Sequence, residues 1–125
     1  MIKTVLAIGS NCGDRRQHVM DAIKWIEEVS WIEKSSSLYF SPDIKGTGHT
    51  YLNAVVVAEF DGGADEFNGL IKEYEKRAGR DAECRKRGLV PIDIDIVISD
   101  AEILRPKDYR AEYFLKGYEE IINKE

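Results

Sequence analysis

Cysteine is scarce in this chain: Cys12 and Cys84 are the two among 125 residues. Isolated thiols without Cys-x-x-Cys spacing exclude a disulfide framework and a zinc finger, and they fit a reducing cytoplasm. Histidine is equally rare, and His18 and His49 stand too far apart for a metal motif. No apolar run approaches the roughly 20 residues of a membrane-spanning helix. Met1 to Ile8 has too short an apolar core for a secretion signal. Positive charge is in the minority. The net charge of −5 argues against nucleic acid or an anionic membrane surface as a partner. Neither Gly-x-Gly-x-x-Gly nor Gly-Lys-Ser/Thr occurs, so any nucleotide is held otherwise than in Rossmann or P-loop proteins. Repeats, low-complexity tracts and long linkers are missing too. The expectation is one domain over residues 1–125, large enough to bury a single core. Composition and pattern leave its oligomeric state open.

What is present is most distinctive at Pro91-Ile92-Asp93-Ile94-Asp95-Ile96-Val97-Ile98. Isoleucine at every second position is the period of a half-buried strand, which turns Ile92, Ile94, Ile96 and Ile98 into a core. Asp93 and Asp95 then share the opposite face, roughly 7 Å apart by strand rise. Two carboxylates so close repel unless a positive charge lies between them. A hard divalent cation meets that need, and a pair of Mg²⁺ ions about 3.5–4 Å apart suits two such ligands. A wet acidic strand face is the plain alternative.

Around this strand the pattern predicts a β-α-β-β-α-β order with a C-terminal helix. Thr4–Ile8 reads as a buried strand. Asp14, with Gln17 three residues on, opens a helix whose apolar face is Val19, Ala22, Ile23, Ile26 and Val29. Trp31–Phe40 reads as the second strand and residues 41–50 as a mobile loop. Tyr51–Phe60 is the third strand, with Leu52, Ala54, Val56, Ala58 and Phe60 on one face and Tyr51, Asn53, Val55, Val57 and Glu59 on the other. Asp65 can cap a second helix that buries Phe67, Leu70, Ile71, Tyr74 and Ala78 and ends at Gly79. A basic loop, Arg80–Gly88, leads to the aspartate strand, and a helix follows from Asp108 with Phe114, Leu115, Tyr118, Ile121 and Ile122 apolar. This is the ferredoxin-like order: an α+β sandwich with two helices on one face of a four-stranded antiparallel sheet. The other face is then free to carry a site.

The chemistry-bearing residues gather near that strand in sequence. Arg77, Arg80, Arg85, Lys86 and Arg87 reverse the local sign of charge just upstream of it. Cations beside a metal-binding carboxylate pair are what polyphosphate requires; a solvated basic loop is the alternative. Asn53 interrupts an apolar strand, and its carboxamide can read a heterocycle edge or serve a structural bond. Glu75 can meet a nucleotide or solvent. Ser10 with His18 or His49 lacks the context of a nucleophile–base pair.

The chain resembles the 6-hydroxymethyl-7,8-dihydropterin pyrophosphokinases of folate biosynthesis. The resemblance rests on Ala7-Ile8-Gly9-Ser10-Asn11 with Gly13-Asp14-Arg15, Tyr39-Phe40-Ser41-Pro42, Tyr51-Leu52-Asn53-Ala54-Val55, Glu75, Gly79-Arg80 and Pro91–Ile96, in family order. It implies a ferredoxin-like fold and transfer of pyrophosphate from ATP to the pterin hydroxymethyl group. It implies that Asp93 and Asp95 hold two Mg²⁺ ions, with ATP as co-substrate. Asn53 would read the pterin, lined by Ser41, Pro42, Ile44 and Tyr51, with Phe114 or Tyr113 stacking on the ring. Glu75, Arg80, Arg87 and Ile96 would contact ATP. Arg80 joins the aspartates in catalysis, and the loops at 41–50 and 80–90 would close over the substrates. Departures are also plain. The family's Trp-Gly-Pro-Arg stands here as Arg87-Gly88-Leu89-Val90, a second loop arginine falls at Ala82, and its Pro-His pattern survives as Pro106-Lys107. Arg85, Lys86, Arg87, Lys107 and Arg110 are the candidates to replace the lost cations. The alternatives are a non-catalytic pterin- or nucleotide-binding relative and a transferase for another hydroxylated heterocycle.

Overall fold

A computed structural model describes residues 1–42 and 50–123. Its elements run β1 (Ile2–Ser10), α1 (Arg15–Val29), β2 (Trp31–Ser35), β3 (Tyr39–Ser41), β4 (Tyr51–Phe60), α2 (Ala64–Arg77), α3 (Ala82–Lys86), β5 (Asp93–Ser99), β6 (Glu102–Ile103), α4 (Pro106–Tyr109) and α5 (Glu112–Ile122). The sheet is antiparallel in the order β2-β4-β1-β5-β6, with β3 also on β4. It has six strand segments among the described residues where the pattern predicts four. The stretch Trp31–Phe40 is not one strand, because Ser36 interrupts the ladder: its Oγ accepts the Val55 N–H at 2.9 Å while its own N–H donates to the Val55 carbonyl. The short β6 returns on β5 through a two-residue turn at Asp100-Ala101, where Asp100 takes φ 52.

The helix signals hold with local changes. Asp14 accepts the Gln17 N–H at 3.1 Å, but the Gln17 side chain turns to Asp21, so the capping box is half made. Gly63, not Asp65, is the N-cap of α2; Asp65 and Glu66 lie in its first turn, where the helix dipole favours them. Gly79 ends α2 at φ 99, with Gly79 N–H donating to Lys76 and Arg80 N–H to Glu75, the paired bonds of a Schellman cap. The basic loop after it is not all loop. Asp81 accepts the Cys84 N–H at 2.8 Å and starts α3.

Two cores lie on the two sheet faces. Leu6, Ile8, Leu52, Ala54, Val56, Ile92, Ile94 and Ile96 pack beneath Val19, Ala22 and Ile26 of α1 and Phe67 and Ile71 of α2. On the second face Val5, Val55, Val57, Val97 and Ile98 pack beneath Phe114 and Ile121 of α5. Ile98 therefore faces away from the other three isoleucines. The β1–β5 register runs Val5↔Ile98 and then Leu6↔Ile96, so one extra residue, Val97, reverses the alternation. The second face is also not left open. Gly117 lets α5 sit close, since a Cβ there would lie 2.6 Å from Val55 and 2.7 Å from the Tyr39 hydroxyl. The helix covers one half of the face and leaves the end near Gly9. Among the described residues no helix is long and apolar enough to cross a membrane.

Candidate active site

Strand register builds the uncovered end. Gly9 lies opposite Asn53 on β4 and opposite Asp93 on β5, and Ala7 lies opposite Asp95. Asn53, Gly9 and Asp93 thus form a row across three strands, with Asp95 two residues along. Gly9 keeps the middle of the row open, because a Cβ there would stand 3.1 Å from Asn53 Oδ1 and 3.3 Å from the Tyr51 ring. The row floors a cavity of about 300 Å³, walled by Ser41, Pro42 and Tyr51 on one side and by Arg105, Lys107, Asp108 and Tyr113 on the other.

The two aspartates are not equivalent. Burial pushes Asp95 up to about 7, helped by the charge of Asp93 and a hydrogen bond to it. Burial also opposes ionisation of Asp93, but the hydrogen bond from Asp95 and the Arg80 guanidinium outweigh it and hold that carboxyl below its ordinary range. The pair therefore shares one proton as a unit. Arg80 Nη1 donates to Asp93 Oδ1 at 2.6 Å and lies 3.3 Å from Glu75 Oε2. Lys72 Nζ stands 3.2 Å from Glu75 Oε1 and 3.8 Å from Asp95 Oδ1. Arg105 Nη1 is 3.7 Å from Asp95 Oδ1.

A carboxylate pair that retains a proton even beside Arg80, Lys72 and Arg105 is a hard-oxygen seat whose negative charge is not fully balanced, and it suits Mg²⁺. Among the described residues no group of three or more His, Cys, Asp or Glu could hold a metal. An ion here takes its other ligands from water or phosphate, as Mg²⁺ commonly does. Its binding must displace the shared proton. Mg²⁺ affinity is expected to rise about tenfold per pH unit up to about pH 7 and then level off. The raised Asp95 also means that, without metal, this group's contribution to stability falls as pH climbs from its ordinary range towards 7. Calorimetric Mg²⁺ titrations at pH 6 and pH 8 check the first and metal-free thermal melts at the same values the second; equal Mg²⁺ affinity at the two values would count against a shared proton.

Not every expected residue reaches the cavity. Ser41, Pro42, Tyr51, Asn53, Asp93 and Asp95 do. Asn53 Nδ2 donates to Ser41 Oγ at 2.7 Å, which leaves Oδ1 on the Gly9 side. Ile44 and His49 lie outside the described residues, as does most of the 41–50 loop. Phe114 is fully buried on the sheet side of α5, and its neighbour Tyr113 lines the cavity together with Tyr51. Ile96 is packed against the helices on the far face. Glu75 is 3% exposed and accepts the Ile94 N–H at 2.8 Å, so it braces β5, Lys72 and Arg80 from behind. Arg87 caps the C-terminal end of α3, and it, Arg85, Lys86 and Arg110 are exposed residues outside the cavity lining. Of the candidate replacement cations, Lys107 alone lines it. Ser10 Oγ does lie 3.3 Å from His18 Nδ1, but Ser10 is fully buried and away from the cavity.

Sequence reasoning passed over Lys72, Arg105 and Asp108. A helix period from Glu75 back to Lys72 and a tight turn after Ser99 were the available signals. It also left Asn11 without a role. Asn11 Nδ2 donates to the Gly88 carbonyl at 3.0 Å, and its Oδ1 accepts the Val90 N–H at 2.6 Å, while its own N–H bonds the Val90 carbonyl. It staples the approach to β5 onto the end of β1.

Comparison with known proteins gives the family of the chain. The family model for 7,8-dihydro-6-hydroxymethylpterin-pyrophosphokinase matches residues 5–123. The chain is 38% identical to the 2-amino-4-hydroxy-6-hydroxymethyldihydropteridine pyrophosphokinase of Aquifex aeolicus over 86% of its own length and 67% of that protein. It is 33% identical to a folate synthesis bifunctional protein of Chlamydia trachomatis, over 74% of this chain and 22% of the relative. It is 34% identical to a mitochondrial folate synthesis bifunctional protein of Pisum sativum, over 76% of this chain and 19% of the relative. The chain thus spans two thirds of the first relative and about a fifth of the longer two. With the match running through both cores and the carboxylate strand, the chain belongs to the 7,8-dihydro-6-hydroxymethylpterin-pyrophosphokinase family, whose reaction is ATP-dependent pyrophosphoryl transfer to the hydroxymethyl pterin in folate synthesis.

Proposed function

We propose that this chain carries out the family reaction in the described cavity, as a single domain over residues 1–125, in the cytoplasm, with small molecules rather than nucleic acid as its partners. The observation that carries this reading is the row Asn53–Gly9–Asp93 with Asp95 beside it, because it joins a heterocycle-reading amide to a metal seat on one sheet face. The four long strands in the order β2-β4-β1-β5 support a ferredoxin-like frame.

Asp93 and Asp95 would hold two Mg²⁺ ions, and the chemistry supplied there would be neutralisation of phosphate charge and activation of the pterin hydroxyl. Asn53, steadied by Ser41, offers Oδ1 to an N–H on the pterin edge. Pro42, Tyr51 and Tyr113 enclose the ring. Arg80 keeps Asp93 ionised, and Glu75 holds Arg80 and Lys72 against the carboxylates. The chain's work is to align donor and acceptor and to balance charge, with no covalent enzyme intermediate.

A second reading, a pterin- or nucleotide-binding relative without turnover, draws on the exposed α3 cations outside the cavity. AMP release from MgATP with 6-hydroxymethyl-7,8-dihydropterin, beside a control without pterin, separates the two. Pterin-dependent AMP is the expected result. Binding of both substrates without AMP would replace the transfer reading with the binding one.

A further inference from the structure

We propose that Arg105 is the phosphate clamp of this cavity, gripping two oxygens of the donor's polyphosphate beside Asp95; this rests on the transfer reading above for the identity of the donor. Three cations surround the aspartates, but they are placed differently. Arg80 and Lys72 are both shared with the buried Glu75, and neither lines the cavity. Arg105 does line it. Its Nε donates to Asp108 Oδ2, and Asp108 Oδ1 accepts the Tyr113 hydroxyl. That string fixes the plane of the guanidinium and leaves its Nη end for the cavity. The Nη1–Asp95 separation of 3.7 Å is too long for a tight bond, and the side chain is 50% exposed, so among the described residues the Nη end is not committed to a partner at close range.

The backbone around Arg105 is firm. The turn at Asp100 folds β6 onto β5, Leu104 N–H donates to the Val97 carbonyl at 2.8 Å, and Pro106 starts α4 directly after Arg105. The cation is carried by a hairpin joined to the metal-seat strand itself. A planar fork matches two phosphate oxygens as an ammonium does not. Asp108 is then a positioning residue that aims the fork.

The test uses Arg105→Ala and Arg105→Lys in the full chain. Calorimetry gives the affinity for Mg²⁺ with α,β-methylene-ATP and for AMP alone, fluorescence gives pterin affinity, and thermal melts report the fold. Both variants are expected to lose at least about tenfold in affinity for the triphosphate analogue. Affinity for AMP and pterin and the melting midpoint are expected to stay at wild-type values. In the assay kcat should fall with pterin KM unchanged. Wild-type analogue affinity in Arg105→Ala overturns the clamp, and wild-type affinity in Arg105→Lys overturns the fork. Should the alanine variant fail to fold, the lysine variant carries the test. A wild type that binds the analogue but releases no AMP overturns the transfer reading and leaves Arg105 tested by affinity. A wild type that binds no nucleotide overturns both.

Discussion

Asp95→Ala is expected to cut pterin-dependent AMP release by about a thousandfold or more while the protein stays folded. The size follows from what the residue faces. Asp95 lies on the cavity floor opposite Ala7, next to Asp93 and within reach of Lys72 and Arg105. Its loss leaves one carboxylate to hold the metal and unbalances the charge against which phosphate must be placed. Stability should move the other way or not at all without metal. Burial and the Asp93 charge raise Asp95 well above its ordinary range, which means that its ionised form is disfavoured in the folded protein. A melt without Mg²⁺ at pH 8 should show the variant at least as stable as wild type. Retained AMP release above a tenth of the wild-type rate would remove Asp95 from the metal seat.

Phe114→Ala should do the reverse. Phe114 has no exposed surface, stacks on Tyr118 with ring centroids 5.2 Å apart, and packs from α5 onto Val55, Val57 and Ile98. Truncation is expected to cost about 3–5 kcal/mol. In a domain of this size that lowers the melting midpoint by about ten degrees or more. Below that temperature the pterin KM should hold. Tyr113→Ala should raise the pterin KM about tenfold, because that ring lines the cavity. A raised pterin KM in Phe114→Ala with an unchanged melt would return the stacking role to Phe114.

These two aromatics show where sequence reading stops. Helical spacing marks Phe114 as apolar, and it is buried. Which neighbour faces the ligand depends on how α5 lies over the sheet, and that is set by Gly117 against Val55 and Tyr39 rather than by any local pattern. Strand periodicity likewise places Asp93 and Asp95 together and predicts both faces of β4 correctly, because alternation is a backbone property. It misplaces Ile98, since the bulge at Val97 has no composition of its own. Glu75 and Ile96 belong to the family pattern, yet one braces the strand from behind and the other fills the helix-side core. Their roles depend on contacts across long separations. Arg105 was passed over for the same reason: a turn at Asp100, not proximity along the chain, brings it back to Asp95.

The bulge at Val97 also separates two adjustments. Ahead of it Asp93 and Asp95 are locked in register with Gly9 and Ala7; behind it Ile98 and Ser99 are set against Val5 and Thr4, and the hairpin hangs from that second portion. A change in hairpin length slides Arg105 along the sheet edge while the carboxylates keep their places. Two residues added within β6, with the two-residue turn kept, preserve its facing and shift the cation by roughly 7 Å. Within this architecture the charge that meets the donor can be retuned by the length of β6 alone, without rebuilding the seat beneath it.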